Sequence, residues 1–96
     1  MGRREQLDEE LFKTLKWEWD VQGRERPLDT YVKARDINQD LLQVYEKRQA
    51  IKEEIAASDP SPINSHEVAA IRKQVAETRE RAERYAAKVR SADQSG

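Results

Sequence analysis

Residues 51–75 read IKEEIAASDPSPINSHEVAAIRKQV, and a helix breaker stands at the centre of this stretch. Pro60 and Pro62 follow each other with one serine between them, and no helix continues through such a segment. On either side the apolar residues recur at alternating spacings of three and four. A seam with this period is what two α-helices need for knobs-into-holes packing. The stretch therefore predicts an antiparallel coiled-coil hairpin that turns near Pro60.

The same spacing continues to both ends of the hairpin. The first seam, with Thr30 and Arg48 in its polar positions, is formed by Ala34, Ile37, Leu41, Val44, Ile51 and Ile55. The second seam, with Thr78 as its polar member, is formed by Val68, Ile71, Val75, Ala82, Tyr85, Val89 and Ala92. If the chain folds back at the prolines, Ile55 faces Val68, Ile51 faces Ile71 and Leu41 faces Ala82. The two seams then stay in register along the whole hairpin.

A shorter helix is predicted upstream, over about residues 4–22. At about 100° per residue its inward stripe would occupy a sector of roughly 140°, formed by Leu7, Leu11, Leu15, Trp19 and Phe12. The short polar connection from Gly23 to Pro27 makes this helix antiparallel to the next one and places it at the open end of the hairpin. There it would cover a second apolar edge, formed by Leu28, Val32, Leu42 and Tyr45. The hairpin tip, between Val44 and Thr78, would stay bare.

The chain is thus expected to be a single all-α domain over residues 1–96, similar to a three-helix bundle. The second helix is predicted over about 29–57, with Asp29 as its cap or Pro27 as an earlier start. The third is predicted over about 65–92, opened by a capping box of Asn64 and Glu67. Residues 93–96 are expected to form a frayed tail.

Composition narrows the classes of function. With 18 basic and 19 acidic side chains, the formal net charge of −1 provides no general attraction to nucleic acid or anionic lipid. The sequence has no cysteine, which excludes disulfides and thiolate metal sites and is compatible with a reducing compartment. It contains neither an apolar run long enough to span a bilayer nor the apolar core of a secretion signal. We therefore expect a cytoplasmic protein with no membrane partner.

The residues that usually carry catalysis are scarce. His66 is the only histidine, and without a second histidine or a cysteine it is expected to be a surface residue. Three isolated glycines form no phosphate-binding loop. We expect no catalytic residues, no cofactor and no metal site.

One stretch is similar to a known enzyme family. Residues 41–48, LLQVYEKR, resemble part of the long helix of small all-α chorismate mutases. That resemblance implies cationic side chains converging on a dicarboxylate. Where the family pattern has an earlier arginine and a later lysine, this chain has Tyr31 and Asp59. The family is therefore not assigned.

Three residues are candidates for binding a partner. Trp17 and Val21 lie at the far side and the edge of the first helix's apolar sector, so Trp17 either covers a neighbouring helix or is an exposed anchor of the kind enriched at hot spots. Arg48 occupies a seam position that favours an apolar residue. Its stem either lies along the seam with the guanidinium in water, or the guanidinium sets the register or meets a partner's carboxylate.

The function expected from these observations is that of a non-catalytic interaction, adaptor or assembly module. Its partner would be another protein or a second copy of the chain, because two narrow seams bury little in a lone hairpin. One alternative is a nucleic-acid-binding regulator that uses the basic face of the third helix, although the interleaved glutamates make nucleic acid an unfavoured partner. A second alternative is a small helical enzyme with a pocket of Arg and Lys.

Overall fold

The computed structural model describes residues 2–24 and 30–95, with side chains described up to Ala92. Three helices account for these residues: α1 (Arg3–Gly23), α2 (Thr30–Ser58) and α3 (Pro62–Ser95). No strand is present in the described part of the chain. The all-α class is confirmed. The predicted capping by Pro27 or Asp29, and the predicted core position of Leu28, lie outside the described residues.

The hairpin of α2 and α3 forms in the predicted register. The Arg72 guanidinium lies 3.0 Å from Glu53, and the Arg79 guanidinium, later on α3, lies 3.9 Å from Glu46, earlier on α2, so the two helices run antiparallel with their seams aligned. The buried apolar residues of the two seams are Leu41, Val44, Ile51, Ile55, Val68, Ile71, Val75, Ala82 and Val89. Burial of these side chains is the main contribution that holds the hairpin together.

The turn between α2 and α3 is shorter than predicted. The helix α3 begins at Pro62, a favourable first helical residue because its fixed φ suits a helix and its missing N–H has no partner to lose. The Ser61 hydroxyl accepts the backbone N–H of Asn64 at 3.2 Å and caps the helix. The predicted capping box of Asn64 and Glu67 is therefore wrong, since Asn64 donates its side-chain amide to the Asp59 carbonyl at 2.7 Å. At the other end α3 continues to Ser95, so the predicted tail is helical up to that residue.

The helix α1 packs antiparallel to α2, as predicted, but beside the other end of the hairpin. The Arg3 guanidinium pairs with Glu54 at 2.8 Å, and Arg4 lies 3.4 Å from Asp59 beside the turn. Leu7 forms a buried cluster with residues of the last turns of α2. The predicted position of α1 at the open end, and the predicted bare tip, are corrected by these contacts.

The physical reason for this position is the apolar surface at the closed end. Ile51 and Ile55, in the last turns of α2, form a buried cluster with Leu7, and Leu11 packs against it. The other end of α1 reaches Asp40, which lies 3.7 Å from Arg24. Because ten helical residues rise about 15 Å, this contact lies about 15 Å along α2 from Thr30, its first residue.

The middle helix of the molecule is α2, with the other two helices on different sides of it. Among the described residues, α1 and α3 each pack against α2 and not against each other. The molecule is elongated, with dimensions of 56 × 23 × 14 Å. No described helix is long and apolar enough to cross a bilayer.

Candidate protein-binding surface

The helix α1 carries two separate apolar faces. The first, which packs on α2, contains Leu7, Leu11, Thr14, Trp17 and Val21. Leu7 is 1% exposed and Val21 is 0% exposed, so this face is closed to solvent at both ends. It is rotated by about 90° around the helix axis from the predicted inward stripe, at about 100° per residue.

The second apolar face of α1 points away from the hairpin. It consists of Phe12, Leu15 and Trp19, which are 55%, 41% and 66% exposed, and we call it the outer stripe. Residues spaced by three and four lie on one line along a helix. The outer stripe is therefore a continuous apolar strip that remains largely exposed to solvent.

Charged side chains border the outer stripe. The Lys16 ammonium lies 5.0 Å from the centre of the Phe12 ring. On the line of the stripe, toward the start of α1, the Asp8 carboxylate accepts a hydrogen bond from Arg4 at 3.2 Å. On the side that faces α2, a shallow groove runs between Leu15 and Lys52. A polar rim around an apolar centre is the usual anatomy of a protein interface.

A polar network fixes how α1 lies on α2. The Arg48 guanidinium donates to the Glu18 carboxylate at 3.0 Å and to the Thr14 hydroxyl at 3.1 Å. The Tyr45 hydroxyl donates to the other carboxylate oxygen of Glu18, and the Thr14 hydroxyl donates to the Leu11 carbonyl at 2.7 Å. The side chains of Arg48 and Glu18 are only 11% and 17% exposed, so the pair is largely withdrawn from water.

The network also shifts the pKa of the Tyr45 hydroxyl. Burial, first, and then the hydrogen bond to Glu18 raise the pKa of Tyr45 to about 12, although Arg48 opposes the effect. Because the neutral phenol is the form that donates to the carboxylate, ionisation of Tyr45 would remove this link between the two helices.

The three residues predicted to bind a partner lie at the interface of α1 and α2. Trp17 is half-buried against the main core cluster, and Val21 is a member of that cluster. Arg48 meets a carboxylate, but that carboxylate belongs to α1 of the same chain. A fully buried Val21 is not available to a partner while α1 is docked. Partner binding by Trp17 and Arg48 stays a prediction.

Trp19 is not in its predicted environment, whereas Trp17 is in the first of the two that were predicted for it. Trp19, predicted to point inward, is the most exposed residue of the outer stripe, while Trp17 packs on the core. The sequence did contain the signal for this. Leu7, Leu11, Thr14, Glu18 and Val21 repeat the spacing of four and three found in both hairpin seams. Because Thr14 and Glu18 are polar, this repeat is not apparent from the apolar residues alone. The apolar residues alone instead favour the line through Leu15 and Trp19.

Other parts of the described surface have fewer features of a binding site. At the open end of the hairpin, the Lys88 ammonium lies 5.3 Å from the centre of the Tyr31 ring, above a shallow hollow that Arg84 also lines. His66 is exposed on α3. No group of three or more His, Asp or Glu suited to a metal ion occurs among the described residues.

Comparison of the chain with family models, with curated proteins and with solved structures gives no match.

Proposed function

We propose that this protein is a non-catalytic interaction module whose α1 helix presents the outer stripe to a helical segment of a protein partner. The observation that carries the proposal is the exposure of Phe12, Leu15 and Trp19 on a helix whose opposite face is already buried. Exposed apolar surface of this kind lowers solubility unless a partner covers it. The lack of cysteine is compatible with the reducing cytoplasm, which is where we propose that the module works.

The chemistry of the outer stripe suits a helix better than an extended peptide. An amphipathic helix presents anchors at spacings of three, four and seven, which match a straight strip of three large side chains. An extended peptide binds by adding a strand to a sheet edge, and no strand exists in the described residues. Tryptophan is also among the residue types that dominate binding energy at interfaces.

The nucleic-acid alternative has less support. Arg72 and Arg79 of α3 lie beside Glu53 and Glu46 of α2, at 3.0 Å and 3.9 Å, and Arg84 lies 3.8 Å from Glu80 of its own helix. Cations that are paired in this way attract phosphate less than a free basic stripe does.

The proposal is tested by site-specific photocross-linking in the host cell. A photoreactive phenylalanine analogue replaces Phe12, and the matched control places it at Ile63, which is 72% exposed beside the hairpin turn. We expect a discrete cross-linked protein product from position 12 that disappears when Trp19→Ala is added. If both positions give the same diffuse pattern, the outer stripe is not a binding surface.

A stability control separates binding from folding. Trp19→Ala is expected to leave the midpoint of urea unfolding nearly unchanged, because the indole is largely in water already. Trp17→Ala is expected to cost about 2 kcal/mol, below the usual range for a fully buried tryptophan because Trp17 is only half-buried.

A further inference from the structure

We infer that the occupant of the outer stripe is a second copy of this chain, with the two α1 helices antiparallel across a two-fold axis. The inference rests on the proposed function and names its partner. In an antiparallel pair of helices, residues of one copy face residues of the other in reverse order. Phe12 then packs against Leu15 of the second copy, and Leu15 against Phe12, so the centre of the interface is apolar.

The charges beside the outer stripe are self-complementary in this arrangement. Glu9 and Lys16 lie seven residues apart along the same edge of α1, and both are directed to solvent. The two-fold axis that places Phe12 against Leu15 also brings Glu9 of each copy beside Lys16 of the other. Two opposite-charge pairs thus flank the apolar centre, as edge charges do in coiled coils. Within one copy these groups have only weak partners, since Glu9 lies 4.0 Å from Lys13.

The residues at the two ends of the outer stripe are also complementary to each other. The same register brings Trp19 of each copy against Asp8 of the other. A tryptophan at an interface needs an acceptor for its indole N–H, and a carboxylate is a strong one. Asp8 lies on the line of the stripe and is well exposed, with a hydrogen bond only from Arg4.

The area available fits a weak but specific dimer. With aromatic side chains of about 150–250 Å², the exposed parts of Phe12, Leu15 and Trp19 amount to roughly 350 Å² per copy, or about 700 Å² in two copies. Specific interfaces begin near 1,200 Å² in total, so the outer stripe alone supplies a little over half of that area, and Asp8, Glu9 and Lys16 beside it add to the contact. The chain has surface to spare, because it exposes 6642 Å² whereas compact proteins of its mass, 11.2 kDa, expose about 5,700 Å². We therefore expect dissociation in the micromolar range.

A membrane surface fits the outer stripe less well. Helices that lie on membranes carry Lys and Arg on their polar face. Residues 3–24 contain six acidic and five basic side chains, with Glu9 directly beside the stripe. A lipid headgroup layer of negative charge would not be attracted to this helix.

The first test is sedimentation equilibrium of the full chain over the micromolar to low-millimolar range. We expect a reversible monomer–dimer equilibrium, and Trp19→Ala is expected to raise the dissociation constant at least thirtyfold, as hot-spot residues do. The matched control is Ile63→Ala, which removes an exposed apolar side chain outside the interface and should change nothing. A wild-type chain that is monomeric throughout, or a dimer indifferent to Trp19→Ala, overturns the inference.

The second test exchanges the charges. The Glu9→Lys chain carries two cations on this edge and the Lys16→Glu chain carries two anions, so each is expected to dimerise at least fivefold more weakly than wild type. An equimolar mixture should form a one-to-one heterodimer at wild-type strength, because both edge pairs are again attractive. Helix content of each variant, measured by circular dichroism, controls for folding. If both single variants self-associate as wild type does, or the mixture forms no heterodimer, the antiparallel arrangement is wrong.

The experiments distinguish failure of the proposed function from failure of the second-copy inference. A monomeric wild-type chain that still gives a specific foreign cross-link from position 12 overturns the second-copy inference and supports the proposed function. Loss of the cross-link contrast between positions 12 and 63, together with a dimer that forms elsewhere on the molecule, overturns both.

Discussion

Replacement of Arg48 by methionine tests how α1 is held on α2. Methionine keeps most of the apolar stem and removes the guanidinium, which donates to both Glu18 and Thr14. Glu18 would then keep only the hydrogen bond from Tyr45, in a site where it is 17% exposed. Removing one partner of a fully buried ion pair costs about 3–5 kcal/mol, and hydrogen bonds to charged groups contribute about 1.5–3 kcal/mol each. Because water still reaches the edge of this pair, we expect a loss of about 2 kcal/mol.

The assay is urea unfolding followed by two signals. Both tryptophans lie on α1, so tryptophan fluorescence reports undocking of that helix, whereas circular dichroism reports the helices of the whole chain. Arg48→Met should shift the fluorescence transition to lower urea. A double-mutant cycle with Glu18→Gln should give a coupling energy of about 1 kcal/mol, as contacting residues do. A loss below about 0.5 kcal/mol with no measurable coupling would mean that the network does not hold α1, and the reasoning would be refuted.

Three further predictions concern the packing of α1, the pairing of α2 with α3, and the ionisation of Tyr45. Leu7→Ala should cost about 2–3 kcal/mol in urea unfolding and Leu15→Ala less than about 0.5 kcal/mol, because only the first is buried; equal losses would mean that α1 is rotated differently. Cysteines at Ile51 and Ile71 should form a disulfide within one chain under mild oxidation, whereas products only between chains would contradict the hairpin. Tyr45 has its pKa raised to about 12 in the fold, so its contribution to stability is complete below the ordinary tyrosine pKa of about 10 and is lost as the pH rises toward 12. Tyrosinate absorbance should show one late ionisation that Tyr45→Phe removes, and its persistence in that variant would contradict the assignment.

The hairpin could be predicted from sequence because two independent signals agree. The prolines at 60 and 62 fix where the chain turns, and the two apolar repeats fix which faces meet. Where only one of these two signals was present, the predicted helix boundaries differ from the observed ones by a few residues. The start of α3 is an example, because a proline can either precede a helix or be its first residue.

The placement of α1 could not be predicted in the same way. Its sequence has two apolar lines, and a wheel drawn from apolar residues alone favours the one through Leu15 and Trp19. The line that packs includes Thr14 and Glu18, whose burial depends on partners in α2 that the sequence of α1 does not reveal. The position of α1 along α2 depends on Ile51 and Ile55, which form a buried cluster with Leu7 of α1. The outer stripe could not be predicted as a binding surface for the same reason, because Phe12, Leu15 and Trp19 were all predicted to lie in the core.

The docking of α1 through Trp17, with Trp19 left exposed for a partner, can be measured directly. Two single-tryptophan chains, Trp17→Phe and Trp19→Phe, allow each indole to be examined alone by acrylamide quenching of its fluorescence. At low protein concentration we expect Trp19, in the Trp17→Phe chain, to be quenched several-fold more efficiently than Trp17 in the other chain. Quenching of Trp19 should fall as the protein concentration rises and a second copy covers it. The contradicting result is a Trp17 indole that is the more accessible one at every concentration, because α1 would then lie on α2 through its other face.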